Sequence, residues 1–210
     1  MSINLLADIG NTHIHIYKGT AVEHLLYSEA LKKYAQENIL YISVKSSIED
    51  TIRDKTNWKN VSSLMMLNGA YDSMGVDRRA LCLSHDDGVF VDAGSAITID
   101  VMEGGVYRGG FILPGIRAML ESYKSISPIL SIELNQKVSM DRLPITTKDG
   151  ISYGIIASIK TVIETHQKGK QLYFTGGDGA FLASLFDGSV YDETLVFQGM
   201  QTILKGREKC

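Results

Sequence analysis

Each half of the chain opens with an apolar run that ends in a similar polar turn. Residues 3–8 lead into the turn Asp8–Thr12 (DIGNT), and residues 88–92 lead into the turn Asp92–Ala96 (DAGSA). A run of alternating apolar and polar residues follows each turn directly, and such alternation is typical of a half-buried strand. The alternation is shifted by one residue between the two halves. The repeat is therefore one of layout and not of sequence.

The same patterns predict that both halves begin with three consecutive strands and then alternate helices with strands. Strands are predicted at residues 3–8, 12–18, 22–28, 40–44, 63–67, 88–92, 96–103, 106–112 and 171–175, with one more short strand before the last helix. Helices are predicted at residues 29–37, 46–55, 76–84, 116–123, 178–186 and 194–205, and a long helix after Thr147. Antiparallel hairpins followed by parallel crossovers predict a mixed α/β sheet in each half.

Composition narrows the class of protein. The 210 residues are 44% hydrophobic and 21% charged, with a formal net charge of -3. This size suits one large domain or two small domains that share a cleft. We expect no nucleic-acid partner, because no stripe of Lys and Arg is dense enough to neutralise a run of phosphates. We expect no membrane partner, because no apolar run reaches the roughly 18 residues of a membrane span. Cys82 and Cys210 lack metal-ligand spacing, which favours a reducing, cytoplasmic location.

The two Asp-Gly turns are candidate phosphate sites. Glycine lets the backbone approach a ligand, main-chain N–H groups donate to phosphate oxygens, and the carboxylate can hold a cation. The alternative is that each turn only reverses the chain, by Asx-turn and hairpin preferences. The common phosphate loops, G-x-x-x-x-G-K-[ST] and a helix-opening G-x-G-x-x-G, are absent from the sequence.

The segment Gly75–Arg78 is a second candidate, because Gly75 lies just before a predicted helix and Asp77 and Arg78 fall in its first turn. Asp77 is a candidate base toward a hydroxyl, and Arg78 a candidate anchor for a carboxylate. The alternative is an aspartate favoured by the helix dipole beside a solvated arginine.

Three further motifs have structural and functional interpretations. Residues 109–115 (GGFILPG) indicate a bulged strand packed against another backbone. Residues 175–178 (TGGD) either place backbone against an adenine or ribose or form a strand-to-helix turn with Asp178 as N-cap. The segment Thr147–Asp149 is expected first of all to cap the long helix.

The order of these motifs resembles that of the type III pantothenate kinases, members of the acetate and sugar kinase, Hsp70 and actin superfamily. The resemblance runs from Asp8 to about Gly177 and covers most of the chain. It implies two ribonuclease-H-like (actin-like ATPase) domains, each a mixed sheet flanked by helices, with an interdomain cleft. We expect boundaries at residues 1–87 and 88–210, with the terminal helix packing back on the first domain.

The resemblance also implies an activity, the ATP-dependent phosphorylation of pantothenate in the first step of coenzyme A synthesis, and a set of site residues. Asp77 would accept the hydroxyl proton, and Asp92 would hold a monovalent cation, K⁺ or NH₄⁺, in addition to Mg²⁺ with ATP. The ATP-binding residues would be Asp8, Ile9, Gly10, Asn11, Thr12, His13, Ile14, His15 and Ser95. The pantothenate-binding residues would be Tyr71, Gly75, Val76, Asp77, Arg78 and Thr147.

In three respects the chain departs from the family pattern. Ser95 replaces the usual threonine, the segment from Tyr71 to Gly75 is short, and the whole chain is compact. A homodimer is expected from the family alone. Two alternatives stay open: a non-catalytic accessory factor in transcription, and a kinase or phosphatase of the same superfamily that acts on another small acceptor.

Overall fold

The computed structural model describes residues 5–207 and divides them into two compact units. Within these residues, the first unit comprises residues 5–86, Met102–Arg108 and 193–207, and the second comprises Asp87–Val101 and Gly109–Asp192. None of the helices described is long and apolar enough to cross a membrane.

The first unit is built on a five-stranded mixed sheet with the order β3-β2-β1-β4-β5. Strand β1 pairs antiparallel with β2, and β2 with β3, whereas β1 pairs parallel with β4, and β4 with β5. The strands are β1 (Leu5–Ile9), β2 (Ile14–Tyr17), β3 (Val22–Leu25), β4 (Ile39–Ser43) and β5 (Lys59–Asn60). The helices of this unit are α1 (Tyr27–Tyr34), α2 (Glu49–Lys55), α3 (Val76–Cys82) and α7 (Leu195–Arg207).

Alternating residues of β1 and β2 form the core of the first unit. Ile9, Ile14 and Ile16 are fully buried and pack with residues of α1 and β4. Trp58 closes this core, and its Nε1 donates to the carbonyl of Tyr34 at 2.9 Å.

Helix α7 packs closely on α3. A Cβ at Gly199 of α7 would overlap the carbonyl of Ala80 in α3, so only glycine permits this approach. The contact fixes the helix whose first turn contains Asp77 and Arg78.

The second five-stranded sheet has the order β10-β9-β6-β7-β8 and lies in the second unit, apart from the part of the β7-β8 hairpin in Met102–Arg108. Its strands are β6 (Gly88–Ala93), β7 (Ala96–Glu103), β8 (Val106–Pro114), β9 (Leu172–Thr175) and β10 (Val190–Tyr191). Its helices are α4 (Ile116–Ile126), α5 (Thr147–Gln167) and α6 (Gly179–Ala183). One face of α5 enters the core through Ile151, Ile155, Ile159 and Ile163, which recur every four residues as one side of a helix does.

The mixed sheets and the order of elements confirm the predicted fold class, with some local corrections. The strand predicted at 63–67 is wrong: the chain forms a 3-10 helix at Ser62–Leu64, because the side chain of Asn60 accepts from the N–H of Ser62 at 2.8 Å. Buried Met65 and Leu67 alternate like strand residues but pair with no strand among the described residues. The expected cap at Thr147 is also wrong, since Thr146 accepts from the N–H of Asp149.

Other boundaries differ by a few residues. Helix α6 has five residues instead of the nine predicted at 178–186, and Asp178 is its N-cap residue, as one of the two alternatives for this motif had it. The first two residues of the strand predicted at 3–8, and Cys210, lie outside the described residues.

Candidate active site

The first Asp-Gly turn joins β1 to β2. Asp8 lies opposite His15 in the antiparallel register, and the N–H of Gly10 donates to the carbonyl of His13 at 3.1 Å. Ile9 and Ile14 are fully buried, so their side chains belong to the core and only their backbone can face a ligand. The side chains that the turn exposes are Asn11, Thr12 and His13.

Two side chains from elsewhere in the first unit hold the carbonyls of this turn. The hydroxyl of Tyr27, the first residue of α1, donates to the carbonyl of Gly10. The Nζ of Lys45, two residues after β4, donates to the carbonyl of Asn11 at 3.1 Å and lies 4.4 Å from the centroid of the Tyr27 ring. Sequence reasoning missed both residues, since Lys45 is 34 positions from Asn11.

Three histidines line the strands beside the first turn. The Nδ1 of His15 lies 2.6 Å from the Nδ1 of His24, and the His13 ring centroid is 6.4 Å from that of His15. The Nε2 of His24 lies 3.5 Å from a carboxylate oxygen of Glu193. Burial, reinforced by the neighbouring His24 and His13, lowers the pKa of His15 to about 4. His15 is therefore neutral near pH 7.

The Gly75–Arg78 segment forms the start of α3, as predicted. The backbone N–H of Arg78 donates to Oδ1 of Asp77 at 2.8 Å, which holds the carboxylate at the positive end of the helix. A Cβ at Gly75 would overlap this same Oδ1, so glycine leaves room for the carboxylate orientation. Val76 is buried and anchors the turn.

Arg78 is a buried charge with aromatic neighbours. Its side chain is only 6% exposed, although it carries a permanent positive charge. Its guanidinium donates to the hydroxyl of Tyr71 at 2.7 Å and to that of Tyr107 at 3.4 Å. Tyr71 was predicted near this site, and Tyr107 was missed because it enters from the tip of the β7-β8 hairpin. The two phenols fix the plane of the guanidinium, which suits bidentate binding of a carboxylate.

The second Asp-Gly turn, in the second unit, is held by backbone packing. A Cβ at Gly115 would lie 2.6 Å from the carbonyl of Ser95, and the N–H of Gly115 donates to this carbonyl at 3.1 Å. A Cβ at Gly176, whose φ is +87°, would lie 2.5 Å from Oδ1 of Asp92 and 2.6 Å from the carbonyl of Ala93. Glycines of two predicted motifs thus enclose the turn on two sides.

The residues around Asp92 form a small polar group. Asp92 pairs with the buried Thr175 in the parallel register of β6 and β9. The N–H of Asp178 donates to the carbonyl of Ala93 at 2.9 Å, and burial raises the pKa of the Asp178 carboxyl. Carboxylate, hydroxyl and carbonyl oxygens are therefore concentrated at this end of the sheet.

The predicted site residues fall into two groups. The first unit holds the turn Asp8–Thr12 with the histidines, and the segment from Tyr71 to Arg78. The second unit holds Asp92, Ser95 and Thr147, of which Ser95 and Thr147 are exposed. Within residues 5–207, no group of three or more His, Cys, Asp or Glu side chains could by itself hold a metal ion.

The fold defines the structural class of the protein. Among solved structures, the chain is similar to a 2-dehydro-3-deoxygalactonokinase protein from Sinorhizobium meliloti, with a TM-score of 0.58 at 9% identity. The match covers 97% of this chain and 96% of that one. It shows the sugar kinase and actin-like ATPase fold.

Closer relatives establish the family. A family model described as type III pantothenate kinase matches residues 24–168. A Helicobacter hepaticus protein named type III pantothenate kinase is 44% identical over 205 residues, covering 96% of this chain and 98% of the relative. A Campylobacter jejuni crystal structure, described as a conserved Baf family transcriptional activator, has a TM-score of 0.89 at 39% identity and covers 98% of this chain and 100% of that one. The chain belongs to the type III pantothenate kinase family.

Proposed function

We propose that this protein transfers the γ-phosphoryl group of ATP to the hydroxyl of pantothenate, the first step of coenzyme A biosynthesis, in the cytoplasm. The observation that carries the proposal is the start of α3, where the adjacent residues Asp77 and Arg78 are held in fixed orientations. An arginine that can bind a carboxylate lies beside an aspartate that can bind a hydroxyl. This pair suits an acceptor that carries both a carboxylate and a hydroxyl.

In this proposal each residue has one task. Arg78 binds the carboxylate of pantothenate, with Tyr71 and Tyr107 fixing its plane. Asp77 orients the hydroxyl and accepts its proton late, because ordinary carboxylates are weak bases toward alcohols. The two Asp-Gly turns bind the phosphates of ATP. Phosphoryl transfer asks mainly for alignment and for charge neutralisation, since its transition state is loose. Mg²⁺ bound with ATP would supply part of that neutralisation.

The proposal also includes a monovalent cation. The oxygens around Asp92 are its own carboxylate, the hydroxyl of Thr175, which pairs with it in the parallel register, and main-chain carbonyls such as that of Ala93. One negative charge with several neutral oxygens suits K⁺ or NH₄⁺ better than a second divalent ion. We propose that Asp92 holds this cation.

We also propose a homodimer. The second unit exposes large apolar side chains, with Ile126 at 72%, Ile129 at 79%, Leu143 at 80% and Ile145 at 98% exposure. A second copy of the chain is the partner we propose for them. Sedimentation equilibrium at micromolar concentration should give twice the chain mass of 23.1 kDa, and an Ile145→Asp variant should shift toward a single chain. A wild-type species at the single-chain mass would contradict this part of the proposal.

The family leaves a second candidate, because the Campylobacter jejuni structure is described as a transcriptional activator. Three carboxylates at separate motifs, Asp8, Asp77 and Asp92, favour catalysis, since a binding module has no need for all of them. The net charge of -3 also disfavours direct contact with DNA.

The experiment is a coupled ADP-release assay with ATP, Mg²⁺ and K⁺, in which pantothenate is compared with a panel of small alcohols and sugars. Pantothenate should be the preferred acceptor. Asp77→Asn should lower kcat by about 10² to 10⁴, as the loss of a catalytic base does, and change KM little. Asp54→Asn, an exposed carboxylate on α2, is the matched control and should retain full activity. A preference for another acceptor, or wild-type kcat in Asp77→Asn, would reject the proposal.

A further inference from the structure

Three segments of the first unit meet at the turn Asp8–Thr12. The turn itself presents the carbonyls of Gly10 and Asn11, α1 contributes the hydroxyl of Tyr27, and the chain just after the exit of β4 contributes Nζ of Lys45. The ammonium also lies over the face of the Tyr27 ring, 4.4 Å from its centroid. Such a cation–π contact links the two side chains to each other as well as to the turn.

The backbone at Lys45 is itself held in place. The Oγ of Ser43 accepts from the backbone N–H of Lys45 at 3.1 Å, and the N–H of Val44 donates to the carbonyl of Ile9 at 3.2 Å. The exit of β4 is thus attached to the turn by its backbone, and Lys45 extends that attachment by one side chain. Lys45 is half-buried, in contrast to a freely solvated surface lysine.

Because the peptide group is planar, the contacts to these carbonyls also fix the direction of the neighbouring backbone N–H groups. In a planar trans peptide, the C=O of one residue and the N–H of the next point in opposite directions. Holding the carbonyl of Gly10 therefore fixes the direction of the Asn11 N–H, and holding the carbonyl of Asn11 fixes that of the Thr12 N–H. These N–H groups are the ones through which a turn of this kind binds phosphate oxygens.

We propose that Tyr27 and Lys45 are positioning residues for ATP: they hold the Gly10 and Asn11 carbonyls on one side of the turn so that the Asn11 and Thr12 N–H groups face the phosphates on the other. This inference rests on the proposed ATP-binding role of the turn. The positive charge of Lys45 adds a favourable field at the same turn, and both effects act on the nucleotide and not on the acceptor.

The variants separate the hydrogen bonds from simple packing. Lys45→Met keeps a long apolar stem but removes the donor and the charge, and Lys45→Arg keeps both. Tyr27→Phe keeps the ring under the ammonium and removes only the hydroxyl. Lys59→Met, on the exposed edge strand β5, removes a lysine charge from the same unit without touching the turn and is the matched control.

Two measurements report the effect of these variants on nucleotide binding. Calorimetry with the non-hydrolysable analogue AMPPNP and Mg²⁺ reports nucleotide affinity whatever the acceptor is, and steady-state kinetics report KM for ATP and for pantothenate separately. Lys45→Met should weaken AMPPNP binding and raise KM for ATP by about tenfold, the effect of losing one hydrogen bond to a charged group. KM for pantothenate should stay within about twofold. Lys45→Arg should restore most of the affinity, because a guanidinium keeps the positive charge, donates hydrogen bonds and also packs over an aromatic ring.

Tyr27→Phe should have a smaller effect of the same kind, and the double variant should lose less than the sum of the two singles, because both side chains act on adjacent peptides. Unchanged AMPPNP affinity in Lys45→Met, or an equal rise in both KM values that Lys45→Arg does not reverse, would overturn the inference. If AMPPNP affinity falls as expected while pantothenate is not phosphorylated, the inference stands and the proposed acceptor is wrong. If pantothenate is phosphorylated and Lys45→Met binds AMPPNP normally, the inference is wrong and the proposed acceptor stands.

Discussion

The two Asp-Gly turns have similar sequences but are held by different means. Side chains hold the first: the hydroxyl of Tyr27 and the ammonium of Lys45 bind its carbonyls. Backbone holds the second, where Gly115 and Gly176 approach so closely that neither position has room for a Cβ. Both turns thus have fixed peptide orientations. Side-chain hydrogen bonds fix them in the first turn, and close backbone packing fixes them in the second.

This difference predicts where each turn is vulnerable. A turn braced by glycines is sensitive to an added methyl group, whereas a turn braced by polar side chains is sensitive to loss of a donor, to salt and to pH.

The largest effect should come from Gly115→Ala. The added Cβ would meet the carbonyls of Gly94 and Ser95, and overpacking of this kind against rigid backbone costs about 3 kcal/mol. In a chain of this size that corresponds to a fall in Tm of roughly 6–12 °C. Gly94→Ala is the matched control, since its Cβ would be 3.8 Å from the nearest backbone atom. Equal melting temperatures for the two variants would show that the second turn is not braced in this way.

The next largest effect should be the dependence of activity on K⁺. Replacing K⁺ by Na⁺ at constant ionic strength should lower the activity of the parent, and Asp92→Ala should lose both activity and the response to K⁺. Constant ionic strength keeps general screening the same in both salts. Asp8→Ala should lose activity as well but keep a response to K⁺, because the proposed K⁺ site lies in the second turn. The first turn is instead held by the ammonium of Lys45. The assignment of the cation to the second turn fails if Asp92→Ala responds to K⁺ as the parent does.

A milder effect is expected from Gly10→Ala in the first turn. The added Cβ would lie 3.6 Å from the carbonyl of His13, an ordinary contact, so the Tm should change by no more than about 3 °C. KM for ATP should still rise several-fold, because the methyl group keeps phosphate from approaching the backbone. A large loss of stability would show that the first turn depends on close backbone packing, as the second does.

The smallest effect is a pH dependence beside the first turn, where His15 of β2 lies opposite Asp8. The pKa of His15 is about 4 in the folded protein against its ordinary value of 6.5 in the unfolded chain, so between these values the unfolded chain binds more protons. Stability should therefore fall as the pH drops from about 6.5 toward 4. His15→Gln should flatten this acid loss in thermal melts, whereas the exposed His166→Gln should follow the parent. An unchanged acid slope in His15→Gln would remove His15 as its origin.

What the sequence predicts correctly here is local. The strand order at the start of each half follows from hairpin turns and alternating residues, and Asp77 and Arg78 fall at the start of α3 because glycine precedes a helical pattern. The strand predicted at 63–67 is wrong for a related reason. Met65 and Leu67 are buried as an alternating pattern suggests, but the N–H of Ser62 donates to the side chain of Asn60, and the backbone forms a short helical turn instead.

The rest of the site depends on contacts that sequence spacing does not encode. Lys45 reaches Asn11 across 34 residues, and Tyr107 reaches Arg78 across 29. Neither contact has a local signature, because a lysine after a strand and a tyrosine in a hairpin are ordinary. The glycines at 115 and 176 were visible as motif residues, but their shared role against the second turn emerges only when three distant segments are placed together.

If both turns bind ATP while pantothenate is phosphorylated, loss of either turn's carboxylate should change the requirement for ATP. The reaction of ATP, Mg²⁺, K⁺ and pantothenate can be followed by ³¹P NMR with the parent, Asp8→Asn and Asp92→Asn. The parent should convert ATP to ADP with the appearance of one new phosphomonoester signal, and each variant should require several-fold more ATP to reach the same rate. No phosphomonoester from the parent, or an unchanged requirement for ATP in either variant, would contradict the account.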